Sequence, residues 1–305
     1  MQTRPLRLGT RRSPLAMAQA EEARASLIAA HPGISVEIVP VTASGDKVLD
    51  RPLAEIGGKA LWTKELDAWL LAGEIDFAVH SAKDVETYRP AAIVLAAILP
   101  REDVRDVLVG AASIAALPAG ARIGTSAPRR AAQLLNARPD CRVVMFRGNV
   151  ATRLAKLEAG EADATLLAAA GLNRLGASHV GSPLPAEDWL PAPGQGAIAI
   201  ECRADDAAMR ELLSAIDHAP SHAAVFAERA LLAALCGNCH SPIAMLTWPE
   251  GDMLAMRAAI FSPDGGERVD GEAKFSAFDE LGPARLAEDL LARAGPAIAL
   301  HFRGA

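Results

Sequence analysis

A chain of 305 residues with 31 Lys and Arg against 37 Asp and Glu carries a formal charge of −6. That balance argues against a nucleic-acid partner, because grasping a phosphate backbone takes a broad basic surface, and it confines any anion site to a local patch. With 51% apolar and 22% charged residues, the chain can bury a large core spread over two or three domains, which excludes disorder as its main state.

The longest apolar runs, such as Ala91–Leu99, are far shorter than the ~20 residues a membrane helix requires, so no membrane partner is expected. Arg11-Arg12 is followed too soon by Glu21, Glu22 and Arg24 to open a twin-arginine export signal, and the N-terminus reads as mature and cytoplasmic. Cys141, Cys202, Cys236 and Cys239 are too few to staple a chain this long, and a cytosolic setting keeps them reduced.

In chain order, the first two-thirds alternate short β-type and helical runs, which predicts α/β architecture. Leu6–Gly9 reads as a strand, and Pro14–Ala30 as an amphipathic helix closed by His31-Pro32-Gly33. Val36–Val41 is a β-branched strand. Thr42–Ala60, with Gly45, Gly57, Gly58 and no long apolar period, reads as a mobile loop and candidate lid. A helix over 61–72 leads to strands at Asp76–Val79 and Ile93–Leu99. A second α/β unit starts near Arg101, with strands at Val107–Val109, Arg122–Gly124, Arg142–Phe146 and Ala164–Leu167 and helices starting near Pro128 and Asn149. Pro183–Pro193 reads as an inter-domain crossing, after which the apolar strand Ala197–Cys202 can return to the first sheet. From Ser221 the pattern changes to a helix through Leu235, β-like segments at Ile243–Trp248 and Leu254–Ile260, and a final helix near Ala284–Ala294. That is a small α+β domain, and no internal repeat of solenoid period is visible.

Arginine at strand-to-helix junctions is the strongest chemical signal. Gly9-Thr10-Arg11-Arg12-Ser13-Pro14 ends a strand and offers Ser13 as N-cap with Pro14 at the first helical position. Thr125-Ser126-Ala127-Pro128-Arg129-Arg130 repeats that design, and Arg147-Gly148-Asn149-Val150-Ala151-Thr152-Arg153 uses Asn149 as the cap. Cations at a helix N-terminus oppose the macrodipole by roughly several tenths of a kcal/mol per charge. An anionic ligand offsets that, because free N–H groups and arginines converge on the same carboxylate or phosphate. One such junction is usually a set of solvated arginines paired with surface acids; three at strand C-termini favour a polyanionic ligand. Neither a Walker A nor a G-x-G-x-x-G pattern is present, which disfavours a nucleotide.

His80-Ser81-Ala82-Lys83-Asp84 also follows a strand. Asp84 there can act as general acid/base or stabilise a developing cation, with Lys83 meeting an anion, although an Asp beside a Lys is more often structural. Cys236-Gly237-Asn238-Cys239-His240 spells the c-type haem signature and contains a C-x-x-C pair. Haem attachment requires export, thioredoxin-like chemistry expects the pair early in a βαβ unit, and zinc needs ligands beyond Cys202. Pattern alone leaves haem, redox or metal chemistry and a structural or singly reactive cysteine open.

Taken together and in order, these runs resemble the porphobilinogen deaminase (hydroxymethylbilane synthase) family over essentially the whole chain. The matching runs are Thr10-Arg11-Arg12-Ser13-Pro14-Leu15-Ala16, Gly57-Gly58-Lys59-Ala60 with Lys64-Glu65-Leu66, and Ala78-Val79-His80-Ser81-Ala82-Lys83-Asp84. Gly124-Thr125-Ser126 through Arg129-Arg130, Arg147-Gly148-Asn149-Val150 with Thr152-Arg153, and Ala169-Ala170-Gly171-Leu172 before Arg174-Leu175-Gly176 follow. Pro193-Gly194-Gln195-Gly196 and Cys239 with Pro242-Ile243 complete the series.

The resemblance implies a transferase that joins four porphobilinogen molecules head to tail, releasing ammonia at each step and finally hydroxymethylbilane. It implies a dipyrromethane cofactor held as a thioether on Cys239, with no metal. Asp84 is the matched catalytic carboxylate. Ser81, Lys83, Thr125, Ser126, Arg129, Arg130, Arg147 and Arg153 match cofactor-binding positions; Arg11, Arg147, Arg153, Arg174 and Lys59 match substrate-binding ones. A monomer is expected. Ala127-Pro128 replaces the usual Ser-Leu, removing one hydroxyl, and Gly237-Asn238 stands where Gly-Gly is common.

The fold implied is α/β in three domains, the first two doubly wound and resembling a bilobal periplasmic binding protein, the third a small α+β domain. The expected boundaries are 1–99 plus 195–217, 100–194 and 218–305. A non-catalytic, bilobal binding protein for a small anion is the competing reading, but it gives Asp84 and Cys239 no joint purpose. A c-type cytochrome rests on Cys236–His240 alone.

Overall fold

The computed structural model describes residues 4–41, 61–238 and 240–302. The expected lid Thr42–Ala60, with its Lys59, and the expected attachment residue Cys239 lie outside the described residues. In chain order the elements are β1 (Leu6–Arg11), α1 (Pro14–Ala30), β2 (Val36–Val41), α2 (Leu61–Leu71), β3 (Phe77–Ser81), β4 (Ile93–Ile98), β5 (Asp106–Val109), β6 (Arg122–Gly124) and α3 (Pro128–Ala137). Then come β7 (Arg142–Val144), α4 (Val150–Glu158), β8 (Ala164–Ala168), α5 (Ala169–Arg174), β9 (Ser182–Pro183), β10 (Ile198–Arg203), α6 (Ala207–Ser214) and α7 (Ala219–Ala234). β11 (Ile243–Glu250), β12 (Met253–Phe261), β13 (Arg268–Phe275), α8 (Leu281–Arg293) and α9 (Pro296–Ala299) complete the chain. Two compact units result, Met1–Glu102 with Ala197–His222 and Asp103–Gly196 with Ala223–Ala305.

In the first unit the sheet order is β2-β1-β3-β10-β4. β1 runs parallel to β2 and β3, whereas β10 is antiparallel to β3 and β4. The expected return of the chain to this sheet after the proline-rich crossing is therefore present as β10. Both faces are covered, which explains the unbroken apolar run Phe77–Val79 that opens β3 ahead of His80 and Ser81. Phe77 and Val79 pack with Ala20, Ala23 and Leu27 of α1, while Ala78 between them packs with Leu66 and Leu70 of α2. Helices on opposite faces leave an open crevice at the C-terminal ends of β1 and β3, the usual ligand position in such sheets.

The second unit repeats this plan, with order β7-β6-β8-β5-β9. β6 is parallel to β7 and β8, and β5 is antiparallel to β8 and β9. Gly124 closes β6 because a Cβ there would meet the buried Phe146 ring at 2.4 Å. The segment expected to be an inter-domain crossing starts as the edge strand β9, pairing Pro183 with Val107, and its Leu184 N–H donates to the Asp106 carbonyl at 2.8 Å.

The same unit contains the antiparallel sheet β11-β12-β13. One face buries Met245, Met256 and Ile260 against Leu231 of α7, Leu235 just past its end, and Leu286 and Leu290 of α8. On the other face Ala244, Ala259 and Phe261 meet Ala132 of α3 and Leu190. No helix of the described residues is long and apolar enough to cross a membrane.

Candidate active site

β1 delivers Arg11 to the crevice of the first unit, and the chain turns at once into α1. Ser13 accepts the Ala16 N–H at 3.3 Å, and Pro14 opens the helix, as the sequence predicts. β3 ends at Ser81, and a 3₁₀ turn over Ala82–Asp84 follows. The turn is tied down where Ala82 N–H donates to the Ala197 carbonyl at 3.0 Å. Ser81 Oγ is held by Gln19 Nε2 at 2.9 Å. Asp84 is exposed and Lys83 half-buried. Arg11, Ser13, Gln19, Thr63, His80 and Asp84 line one recess of about 60 Å³, room for roughly two waters or one small functional group. Gln19 and Thr63 were not legible as site residues, since within helical runs they carry no motif of their own.

Behind this recess lies a buried charge cluster. Arg89 donates to both oxygens of Glu201, Nε to Oε1 and Nη2 to Oε2, each at 2.8 Å. It also grips Asp67 at 2.6 and 3.0 Å. Burial opposes the charge on Arg89, but the hydrogen bonds and charges of Asp67 and Glu201 outweigh it and raise its pKa. His80 Nε2 lies 3.4 Å from Glu201 Oε2, yet makes no well-aligned hydrogen bond. Burial lowers the His80 pKa despite the opposing pull of Glu201, so the ring is neutral at physiological pH. Glu86 Oε2 also lies 3.4 Å from Arg89 Nη1, so with three carboxylates on one guanidinium this cluster carries a net negative charge.

The second unit reverses that sign. Arg129 and Arg130, expected at the mouth of a ligand site, are each only 5% exposed, and both are paired with Asp106. Arg129 Nη1 and Trp189 Nε1 donate to Asp106 Oδ2, the latter at 2.9 Å. Arg130 Nη2 and Gln195 Nε2 donate to Oδ1 at 2.7 and 2.9 Å. Burial would raise the Asp106 pKa, but the two arginines hold it well below the ordinary carboxylate range. At the second junction the protein itself supplies one anion, Asp106, shared by both arginines. Asp106 was missed because it lies about twenty residues upstream, on β5, and only the sheet brings it to α3. Two guanidiniums on one carboxylate still leave a positive charge, and Arg129 Nε and Arg130 Nε are buried without a hydrogen-bond partner.

Around this hub, Thr125 is buried and its Oγ1 accepts the Ala127 N–H at 3.2 Å, while Ser126 is half-buried. Asn149 caps α4 by accepting the Thr152 N–H at 2.9 Å. Gly148, at φ 113°, provides the left-handed turn between the buried Arg147 and that cap. Arg153 Nε donates to the Gly148 carbonyl at 3.0 Å, and both terminal nitrogens of Arg174 reach the Gly196 carbonyl at 3.2 Å. Cys236 is an exposed free thiol with φ 52°. Among the described residues no group of three or more metal-ligating side chains occurs.

Fold and site define a protein with two α/β sheets, each presenting charged groups at strand ends. The family model described as "porphobilinogen deaminase, dipyromethane cofactor binding domain" matches residues 6–211, and the C-terminal domain model of the same enzyme matches 222–292. The porphobilinogen deaminase of Sphingopyxis alaskensis is 60% identical over 98% of this chain and 96% of its own. That of Paracoccus denitrificans is 51% identical over 95% of each. The chain belongs to the porphobilinogen deaminase family. Among solved structures, the periplasmic aliphatic sulphonate binding protein SsuA of Escherichia coli is similar at a TM-score of 0.41 and 16% identity, over 76% of this chain and 70% of that one. That likeness is too distant to bear on function.

Proposed function

We infer that the chain is a hydroxymethylbilane synthase, a transferase of tetrapyrrole biosynthesis that joins four porphobilinogen molecules on a dipyrromethane cofactor and releases ammonia and hydroxymethylbilane. Family membership favours this over a non-catalytic anion-binding protein. The observation that carries the assignment of chemistry is the exposed Asp84 on a tight turn, sharing a recess with Arg11.

The residues present suit a group bearing carboxylates, because the buried Arg129–Arg130 pair has surplus positive charge and two orphaned Nε–H groups. Ser81, Lys83, Thr125, Ser126, Arg129, Arg130, Arg147 and Arg153 are proposed to hold it, with Cys239 as the thioether anchor. When bound, the dipyrromethane supplies the free pyrrole α-carbon to which the first substrate is joined.

Arg11, Arg147, Arg153 and Arg174, with Lys59, are proposed to receive the substrate acetate and propionate groups. As the C–N bond of the protonated aminomethyl group breaks, its electron pair leaves with nitrogen as ammonia and the positive charge passes to the substrate pyrrole. The Asp84 carboxylate accepts a hydrogen bond from the pyrrole N–H and stabilises that charge until the free α-carbon of the terminal ring bonds to the methylene and gives up its proton, and the net-negative cluster behind His80 adds to the same field. We propose further that the protein acts as a cytoplasmic monomer with three domains, 1–99 plus 195–217, 100–194 and 218–305, a division supported by one sheet in each.

Intact mass of the denatured protein with peptide mapping across Cys236 and Cys239 tests the anchor. Two linked pyrrole units on Cys239 are expected, and an unmodified mass after incubation with porphobilinogen would overturn the assignment. Asp84→Asn should retain that mass while losing about 10²-fold or more in turnover, the scale for removing one aligned electrostatic stabiliser. Near-normal turnover would remove Asp84 from the chemistry.

A further inference from the structure

Asp106 has a role that the reaction chemistry does not assign. Its carboxylate is fully buried and receives four donors, two on each oxygen: Arg129 and Trp189 on Oδ2, Arg130 and Gln195 on Oδ1. An ionised carboxylate offers about four acceptor positions, so this one is saturated and its place is fixed. Both arginines are pinned to it by a terminal nitrogen, and their remaining attachments are backbone carbonyls. Arg129 Nη1 also reaches the Leu190 carbonyl at 3.3 Å, and Arg130 Nη1 the Leu166 carbonyl at 2.8 Å. What is left over is one unit of positive charge and the two partnerless Nε–H groups.

We propose that Asp106 is the positioning residue of the cofactor site, holding Arg129 and Arg130 in the one arrangement that leaves charge and N–H groups for an incoming carboxylate of the dipyrromethane. This deepens, and rests on, the reading of those arginines as cofactor ligands. A residue needed only to neutralise charge could serve from several positions. One that presets two guanidiniums must keep its carboxylate where it is, so shifting the carboxylate should harm loading even when the charge is kept.

The test uses full-length cofactor-free wild type, Asp106→Asn and Asp106→Glu, incubated with porphobilinogen. The rate of covalent mass gain is read by intact-mass spectrometry, and folding by urea unfolding of the same samples. Asp106→Asn removes the charge; Asp106→Glu keeps it but moves it by one methylene. Both should load about tenfold or more slowly while folded, the scale of losing one charged hydrogen bond. A folded variant loading at the wild-type rate overturns the proposal. So does failure of both variants to fold, which would make Asp106 a scaffold residue only. If the wild type itself gains no mass, the functional reading fails first, and that outcome is separable because the variants then play no part in it.

Discussion

Replacing His80 by Gln should remove a defined part of the acid sensitivity of folding. The imidazole is buried against β10, facing Glu201, Arg89, Asp67 and Asp84, and burial lowers its pKa against the pull of the carboxylates. In the unfolded chain the same ring titrates near 6.5. Below that pH the unfolded state therefore binds a proton that the folded state refuses, so stability falls as the solution is acidified through that window. For a ring that stays neutral when folded, lowering the pH from about 7.5 to about 5.5 costs up to about 1.4 kcal/mol, the free energy of protonating the unfolded imidazole. Urea unfolding of wild type and His80→Gln at both pH values gives two losses, and subtracting them cancels the other histidines. The wild type should lose up to about 1.4 kcal/mol more than the variant. Equal losses, or a larger loss in the variant, would show that the folded protein protonates His80 freely and that the cluster does not hold it neutral.

Three further substitutions test the framework around the site. Arg89→Met leaves Asp67 and Glu201 buried without their cation and should destabilise by about 3–5 kcal/mol in urea unfolding; a change below about 1 kcal/mol would contradict the buried triad. Gly124→Ala places a Cβ within 2.4 Å of the Phe146 ring and should cost about 1–3 kcal/mol by overpacking, whereas an unchanged urea midpoint would mean that the ring yields freely. Asn149→Ala removes the α4 cap and should cost about 1 kcal/mol, with no loss expected if water takes over the Thr152 N–H.

Local pattern made most of the framework legible. Strand and helix positions follow from apolar period, and caps at Ser13 and Asn149 follow from short polar side chains placed before helical runs. β13 escaped because Arg268–Phe275 alternates exposed polar residues with only partly buried ones and carries Asp270-Gly271, a turn-like pair, within it. Its pairing with β12 is a tertiary fact. The site was legible where one run contained the chemistry, as in His80–Asp84. It was not legible where partners converge from distant segments: Glu201 reads only as a polar interruption of an apolar strand, and Asp106 as one acid among several near Arg105. Charge counting therefore found arginines without the carboxylate that two of them already hold.

The two α/β sheets show how one architecture yields sites of opposite sign. In each, the fourth strand in the order runs antiparallel to its neighbours and bears a fully buried carboxylate, Glu201 on β10 and Asp106 on β5. Each carboxylate is paired with arginine on both oxygens, Glu201 with Arg89 and Asp106 with Arg129 and Arg130. In the first unit a second acid, Asp67 of α2, joins the same guanidinium, so the buried core is net negative beneath the recess of Asp84. In the second unit a second arginine joins the same acid, so the core is net positive beneath the Thr125–Ser126 turn. Because buried charge is poorly screened, these residual charges set the local field more strongly than solvated surface groups of equal number. A negative field suits positive charge developing on a pyrrole as ammonia departs, and a positive field suits acetate and propionate groups that never react. The position of one additional ionised side chain, on α2 in one unit and on α3 in the other, is enough to reverse the sign of the buried cluster.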